Sequence, residues 1–132
     1  MIRVIAAVIS RGDKVLVCQR APLKRHGGLW EFPGGKCEPG ESLADAVRRE
    51  LREELAVEVI SVGEEEAVIR DPDSPYLITF APVLIAGEPS CREHVDLRWA
   101  SLPEVSLLAL APTDRKYVEL RLRESRLATA SS

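Results

Sequence analysis

Glu50, Glu53 and Glu54 are the residues whose type and spacing most directly suggest chemistry. On an α-helix, at roughly 100° per residue, spacings of three and four put all three carboxylates within an arc of roughly 100°. Val47, Leu51 and Leu55 form an apolar stripe beside that arc, so the helix can bury one side and hold the acids at a fixed edge. Acids held this way suit a hard cation such as Mg²⁺, Mn²⁺ or Ca²⁺ rather than Zn²⁺, which prefers His and Cys. Taken alone, the run from Arg49 to Glu54 reads more readily as a solvated, salt-bridged face, with Arg48, Arg49 and Arg52 offsetting the like charges. The preceding loop favours the metal reading: Gly34 and Gly35 permit close backbone approach, and a carbonyl freed there is a further oxygen ligand.

The acids need a rigid carrier. Ala44, Val47, Leu51 and Leu55 recur at helical spacing with no Gly or Pro between them, so the sequence predicts a helix over Ser42 to Ala56 with Ser42 as its N-cap. Before it, Ile2 to Ser10 and Lys14 to Arg20 read as a hairpin around Arg11-Gly12-Asp13. Ala21 to Gly40 is dense in Pro and Gly and reads as structured loop around a short strand. Val57 to Val62, Tyr76 to Ile85 and Val95 to Ala100 read as strands. Thr113 to Arg126 reads as a second helix with Tyr117 and Leu120, and with them Val118 and Leu122, facing inward. Residues 128–132 are expected to fray. The pattern implies one α/β domain over residues 1–132, with helices covering a mixed sheet.

The bulk properties agree. With 132 residues, 45% hydrophobic and 30% charged, the chain can bury a core without staples. A net charge of −3 with no basic stripe argues against a long nucleic acid as partner. No apolar run approaches the ~20 residues that span a bilayer and no signal-peptide pattern follows the first strand, so no membrane association and a cytoplasmic location are expected. Cys18, Cys37 and Cys91 are odd in number and widely spaced, which points to reduced thiols rather than a disulfide framework.

Gly35, Glu41, Arg49-Glu50-Leu51, Glu53-Glu54 and Val57 are spaced as in the Nudix box, G-x5-E-x7-R-E-U-x-E-E-x-G-U with U aliphatic, and the segment resembles that family. The departure is Ala56, which stands where the family has Gly at the helix exit. The resemblance implies an α/β/α sandwich around a mixed sheet, and a hydrolase that cuts a diphosphate linkage with Mg²⁺, Mn²⁺ being the substitute. It assigns metal binding to Glu50, Glu53, Glu54 and the Gly34 carbonyl. Arg49 would orient a box glutamate, and Gly35 and Glu41 would support. For the general base it leaves Glu53, Glu50 and, outside the box, Glu93, which would also reach the metal; an ordinary loop acid is the other reading of Glu93.

Leu29 to Lys36 is similar to the segment before the box in the MutT-like branch, whose members convert nucleoside triphosphates to monophosphate and pyrophosphate. The similarity implies a small nucleotide substrate, 8-oxo-dGTP in one reading, and CTP or a modified pyrimidine triphosphate in another. A different nucleoside diphosphate derivative, or a non-catalytic nucleotide sensor, are the remaining readings. Arg20 would contact phosphates or base, and Phe32 would line the nucleoside pocket. Asp114, in Leu110-Ala111-Pro112-Thr113-Asp114, would read the base edge, or else cap a helix. Trp30 and Trp99 read as packing or as stacking residues. His26 and His94, without metal-ligand spacing, read as surface imidazoles, and Lys24-Arg25-His26 as a basic loop, solvated or facing a triphosphate.

Overall fold

The computed structural model describes residues 1–131. Strands β1 (Ile2–Arg11) and β2 (Lys14–Gln19) join through a tight turn whose Gly12 takes φ 61°. They pair only at Ser10↔Val15 and Arg11↔Lys14, then part. Beyond the turn, β1 runs parallel to β7 (Tyr76–Ala86), in register from Ile2↔Tyr76 to Ile9↔Val83, and antiparallel to β4 (Gly34–Lys36). On the other side β2 pairs antiparallel with β3 (Trp30–Glu31) and β8 (Asp96–Ala100). Antiparallel β5 (Glu58–Val62) and β6 (Ala67–Arg70) complete the mixed sheet on β7.

The unbroken apolar run of β1 follows from burial on both faces. Ile5, Ala7 and Ile9 pack with Ala46, Val47, Leu51 and Leu55 of α1 (Leu43–Leu55). Ala6 and Val8 turn to the opposite core, where Phe32, Phe80, Tyr117 and Val118 meet beneath α2 (Leu102–Val105) and α3 (Pro112–Ser131). This is the expected α/β/α arrangement.

Helix α1 begins where expected, with Ser42 Oγ accepting from the Asp45 amide at 3.1 Å. Its exit explains the motif departure: Ala56 sits in the left-handed region at φ 57°, ψ 38°, and donates its N–H to the Arg52 carbonyl. The position therefore does what Gly would do there, at a cost of roughly 1 kcal/mol for the β-carbon. Three elements escape periodicity: β6, α2 with its Ser101–Glu104 capping box, and the division of the 21–40 loop into β3 and β4. Each is too short to show a period. Helix α3 runs past Arg126 to Ser131, through the stretch expected to fray, and residue 132 lies outside the described residues. Its inward face is Tyr117 and Val118, fully buried, with half-buried Leu122 packed against the same core; Leu120 is half-buried too. All three cysteines are free, and Cys91 is exposed.

Candidate active site

The acids of α1 are graded by their angle to the apolar stripe. Glu53, farthest from it, leaves 53% of its side chain exposed; Glu50 leaves 15%; Glu54, beside Val47, leaves 5%. The three are not one solvent-facing edge, as the wheel alone suggested, because the last lies under the rim of the core. Burial pushes the Glu54 carboxyl up to about 9, with Glu50, Glu31 and Glu93 adding repulsion. Burial also raises Glu50, while Arg49 opposes the rise.

Arg49 organises the polar side. It donates through Nε and Nη2 to the two Glu41 oxygens, each at 2.9 Å, through Nη1 to Glu50 at 2.8 Å, and through Nη2 to the Lys36 carbonyl at 2.9 Å. Such a planar fork is a grip that a Lys could not reproduce. The Arg49 bonds, with the Glu38 amide, hold Glu41 down at about 2.

Strand β4 reaches Glu50 through two glycines. A β-carbon at Gly34 would overlap the Ile5 carbonyl, so Gly is what lets this strand lie against β1. At Gly35 a β-carbon would come within 2.5–2.6 Å of the Glu50 carboxylate atoms. The loop before β8 is anchored to the end of α1: Ser90 and Arg92 amides donate to the Leu55 and Glu54 carbonyls at 2.9 and 3.0 Å. That anchoring brings Glu93, an exposed loop acid with the electrostatic reach to act on Glu50 and Glu54, to a cavity of about 110 Å³ shared with Arg20, Lys24, Glu31, Gly34, Glu54 and His94.

The donor set fits a divalent cation. Glu54 Oε2 is buried without a hydrogen-bond partner among the described residues, and such an atom is costly unless something positive satisfies it. Among the described residues no three acidic, His or Cys side chains close into a cage. An open row of carboxylates completed by waters and phosphate oxygens is the arrangement Mg²⁺ favours.

A larger cavity, about 330 Å³, adjoins this one across Arg20, Glu31 and Gly34, which line both. Phe32, Tyr76, Ile78 and Asp114 form part of its wall. Phe32 is chiefly a core residue, edge-on to Phe80 and Tyr117, and presents only its remaining side to the space. Asp114 is neither a simple cap nor a free reader. It lies in the first turn of α3, accepts the Phe32 amide at 2.9 Å, and burial pushes it up to about 8, with Glu31 adding to the rise. Arg20 pairs with Glu31 at 3.0 Å and donates to the Arg25 carbonyl.

His94 is not at the surface: 6% of its side chain is exposed, and Nε2 meets Glu31 Oε2 at 3.0 Å. Glu31 itself went unrecognised, although a lone acid between Trp30 and Phe32 is a local signal of an unusual environment. The basic loop faces the cavities, Arg25 and His26 the larger and Lys24 the smaller, and Arg25 also pairs with Asp71 at 3.5 Å. Trp30 and Trp99 pack, beneath the Arg98 and Arg11 guanidinium groups.

Comparison with known proteins agrees with this geometry. The NUDIX domain family pattern matches residues 1–120. The chain is 41% identical over 133 residues to the CTP pyrophosphohydrolase of Escherichia coli K12, covering 97% of this chain and 98% of that protein. It is 40% identical over 75 residues to the 8-oxo-dGTP diphosphatase of Proteus vulgaris, 55% of this chain and 66% of that one. The solution structure of the E. coli ORF135 protein superposes with a TM-score of 0.80 at 40% identity, covering 96% and 93% of the two chains. A MutT structure from work on the Aliivibrio salmonicida and Vibrio cholerae proteins also gives 0.80, at 26% identity, covering 93% and 98%.

Proposed function

The chain belongs to the Nudix family and is a pyrophosphohydrolase of MutT-like type, and on that premise we propose that it hydrolyses a nucleoside triphosphate to monophosphate and pyrophosphate. The observation that carries the reading is the pair of adjoining cavities. One has the size and apolar wall for a nucleoside; the other is lined by Arg20, Lys24, Glu93 and the innermost α1 acid, Glu54, as a polyphosphate with its cation requires.

Glu50, Glu53, Glu54 and the Gly34 carbonyl would hold Mg²⁺, with Glu93 facing the same space; Mn²⁺ would substitute. Bound there, the cation supplies neutralisation of phosphate charge and a more acidic water. The protein's own residues divide the remaining work. Arg49 hydrogen-bonds Glu50 at 2.8 Å and only approaches Glu53, at 3.7 Å, which leaves Glu53 and Glu93, the more exposed acids, to take the proton of the water that attacks phosphorus. Arg20 and Lys24 orient the phosphates. The absence of a basic stripe supports free nucleotides over a long nucleic acid, and among the described residues no helix is long and apolar enough to cross a membrane. We place the enzyme in the cytoplasm, acting as one domain.

Two bases are served by Asp114. When ionised it accepts from the exocyclic amino group of cytosine, in line with the relative matched over nearly its full length. When neutral, as burial favours, it donates to a carbonyl such as that of 8-oxoguanine. A panel of CTP, its modified forms, 8-oxo-dGTP and ordinary triphosphates, with pyrophosphate and orthophosphate measured separately, tests the proposal. Pyrophosphate release with one dominant kcat/KM is expected; no pyrophosphate from any triphosphate would move the substrate to another nucleoside diphosphate derivative, and binding without turnover would make the protein a sensor.

A further inference from the structure

His94 is a buried imidazole for which the proposed reaction has no assigned use. Its Nε2 lies 3.0 Å from Glu31 Oε2 and its Nδ1 3.8 Å from Glu54 Oε1, with the three side chains 6%, 18% and 5% exposed. With Nε2–H donated to Glu31, Nδ1 is left without a hydrogen-bond partner among the described residues, as is Glu54 Oε2. The backbone around it is pinned on both sides, by the Arg92 amide on the Glu54 carbonyl and by the Val95 amide on the Gln19 carbonyl, both at 3.0 Å. Glu31 is gripped from its other side by Arg20. Hydrogen-bonded contacts therefore run Arg20, Glu31, His94 from the wall of the larger cavity, and a 3.8 Å approach without a hydrogen bond carries the row on to Glu54, the deepest acid of α1.

We propose that His94 is a positioning residue that couples the two cavities, fixing Glu31 against the nucleoside and Glu54 against the cation, so that its loss loosens both together. The inference rests on the substrate and metal reading above. Its physical basis is that a buried carboxylate keeps one geometry only while its neighbours hold it, and that groups bordering metal-binding acids typically tune cation affinity about ten- to a hundred-fold.

Three variants separate the two arms. His94→Leu removes both. His94→Gln keeps an amide that reaches Glu31 as Nε2 does, and His94→Asn keeps a polar group only on the Glu54 side. Readouts are the Mn²⁺ dissociation constant of nucleotide-free protein by electron paramagnetic resonance, KM and base preference, and Tm. His94→Leu should weaken Mn²⁺ binding about ten-fold or more, raise KM and flatten base preference. His94→Gln should restore KM and preference without restoring Mn²⁺ affinity, and His94→Asn the reverse. A His94→Leu protein that differs from wild type only in Tm overturns the proposal. Should that variant not fold, the Gln and Asn proteins decide: the split supports the coupling, and both properties unchanged in both overturn it. A wild type that releases no pyrophosphate from any triphosphate would remove the substrate reading instead, an outcome distinct from a hydrolysing wild type whose His94→Leu variant loses only stability.

Discussion

The acid face of α1 and the wall of the nucleoside cavity lie side by side but are built in different ways. The first is carried by one helix and held by one arginine: Arg49 binds Glu41, Glu50 and the Lys36 carbonyl at 2.8–2.9 Å, all within a short stretch of chain. The second is assembled from many separate segments, among them Arg20 after β2, Phe32 after β3, Tyr76 opening β7 and Asp114 in α3. A helix fixes distances between its own residues, so the chemistry can persist while the cavity wall changes. The wall has no such frame, and each segment can alter the substrate without disturbing the bond that is cut.

The comparison breaks if the helix acids prove dispensable. Glu53→Gln keeps size and helix propensity but removes the charge, and should cost about 10²–10⁴-fold in kcat at saturating Mg²⁺. Pyrophosphate release at the wild-type rate would mean that the acid face is only a salt-bridged surface. Gly35→Ala probes the same face through geometry alone. Its methyl group meets the Glu50 carboxylate first, so the side chain must swing away while the fold survives. Mn²⁺ affinity of the nucleotide-free protein should fall about ten-fold or more with Tm near wild type; unchanged affinity would detach Glu50 from the cation.

The cavity wall should respond in selectivity rather than in rate. Asp114→Asn still accepts the Phe32 amide but adds an N–H donor and loses the ionisable group. The ratio of kcat/KM between CTP and 8-oxo-dGTP should shift about ten-fold or more toward 8-oxo-dGTP, because the ionised acceptor for the cytosine amino group is lost, as expected for one good base-edge contact. A ratio that stays put while both rates fall equally would make Asp114 a tether for Phe32 and nothing more.

This difference also decides what could be read in the sequence. The acid face was legible because Gly35, Glu41, Arg49, Glu50, Glu53 and Glu54 are locked to one another by helical spacing and a short loop. Helices covering a mixed sheet were legible from the order of strand-like runs and two helical stripes, and the α/β/α form from the resemblance of the box, whereas the burial of β1 on both faces was not read. His94 was not legible: it stands beside Glu93 on the loop before the Val95 to Ala100 strand, and its burial comes from contacts with Glu31 and Glu54, far away in sequence. Glu31 carried a local signal, an acid between Trp30 and Phe32, but its partners Arg20 and His94 lie elsewhere in the chain. The short strand expected within Ala21 to Gly40 proved to be two, β3 and β4, and β6 and α2 were invisible, because pairing and capping rather than local pattern create them.

The smallest effect expected is on stability against pH, and it separates the two regions by their buried acids. Asp114 is raised from 3.8 to about 8 and Glu54 from 4.5 to about 9, both chiefly by burial. Between the lower and upper value of each, the folded protein keeps a proton that the unfolded chain has lost. Their contribution is therefore full below about pH 4 and is lost as pH rises through 8 and 9. Glu41, held down at about 2, contributes oppositely, but only as pH falls below 4.5, so it is silent above pH 5. Metal-free protein should thus melt at a lower temperature at pH 8.5 than at pH 5.5. Asp114→Asn and Glu54→Gln should each remove part of that slope. Mg²⁺ should flatten the Glu54 part alone, because a cation binds the deprotonated carboxylate and satisfies the atom that burial left unpaired. If Mg²⁺ flattens the slope equally in the wild type and in Glu54→Gln, the cation does not sit on Glu54, and the division between acid face and cavity wall has to be redrawn.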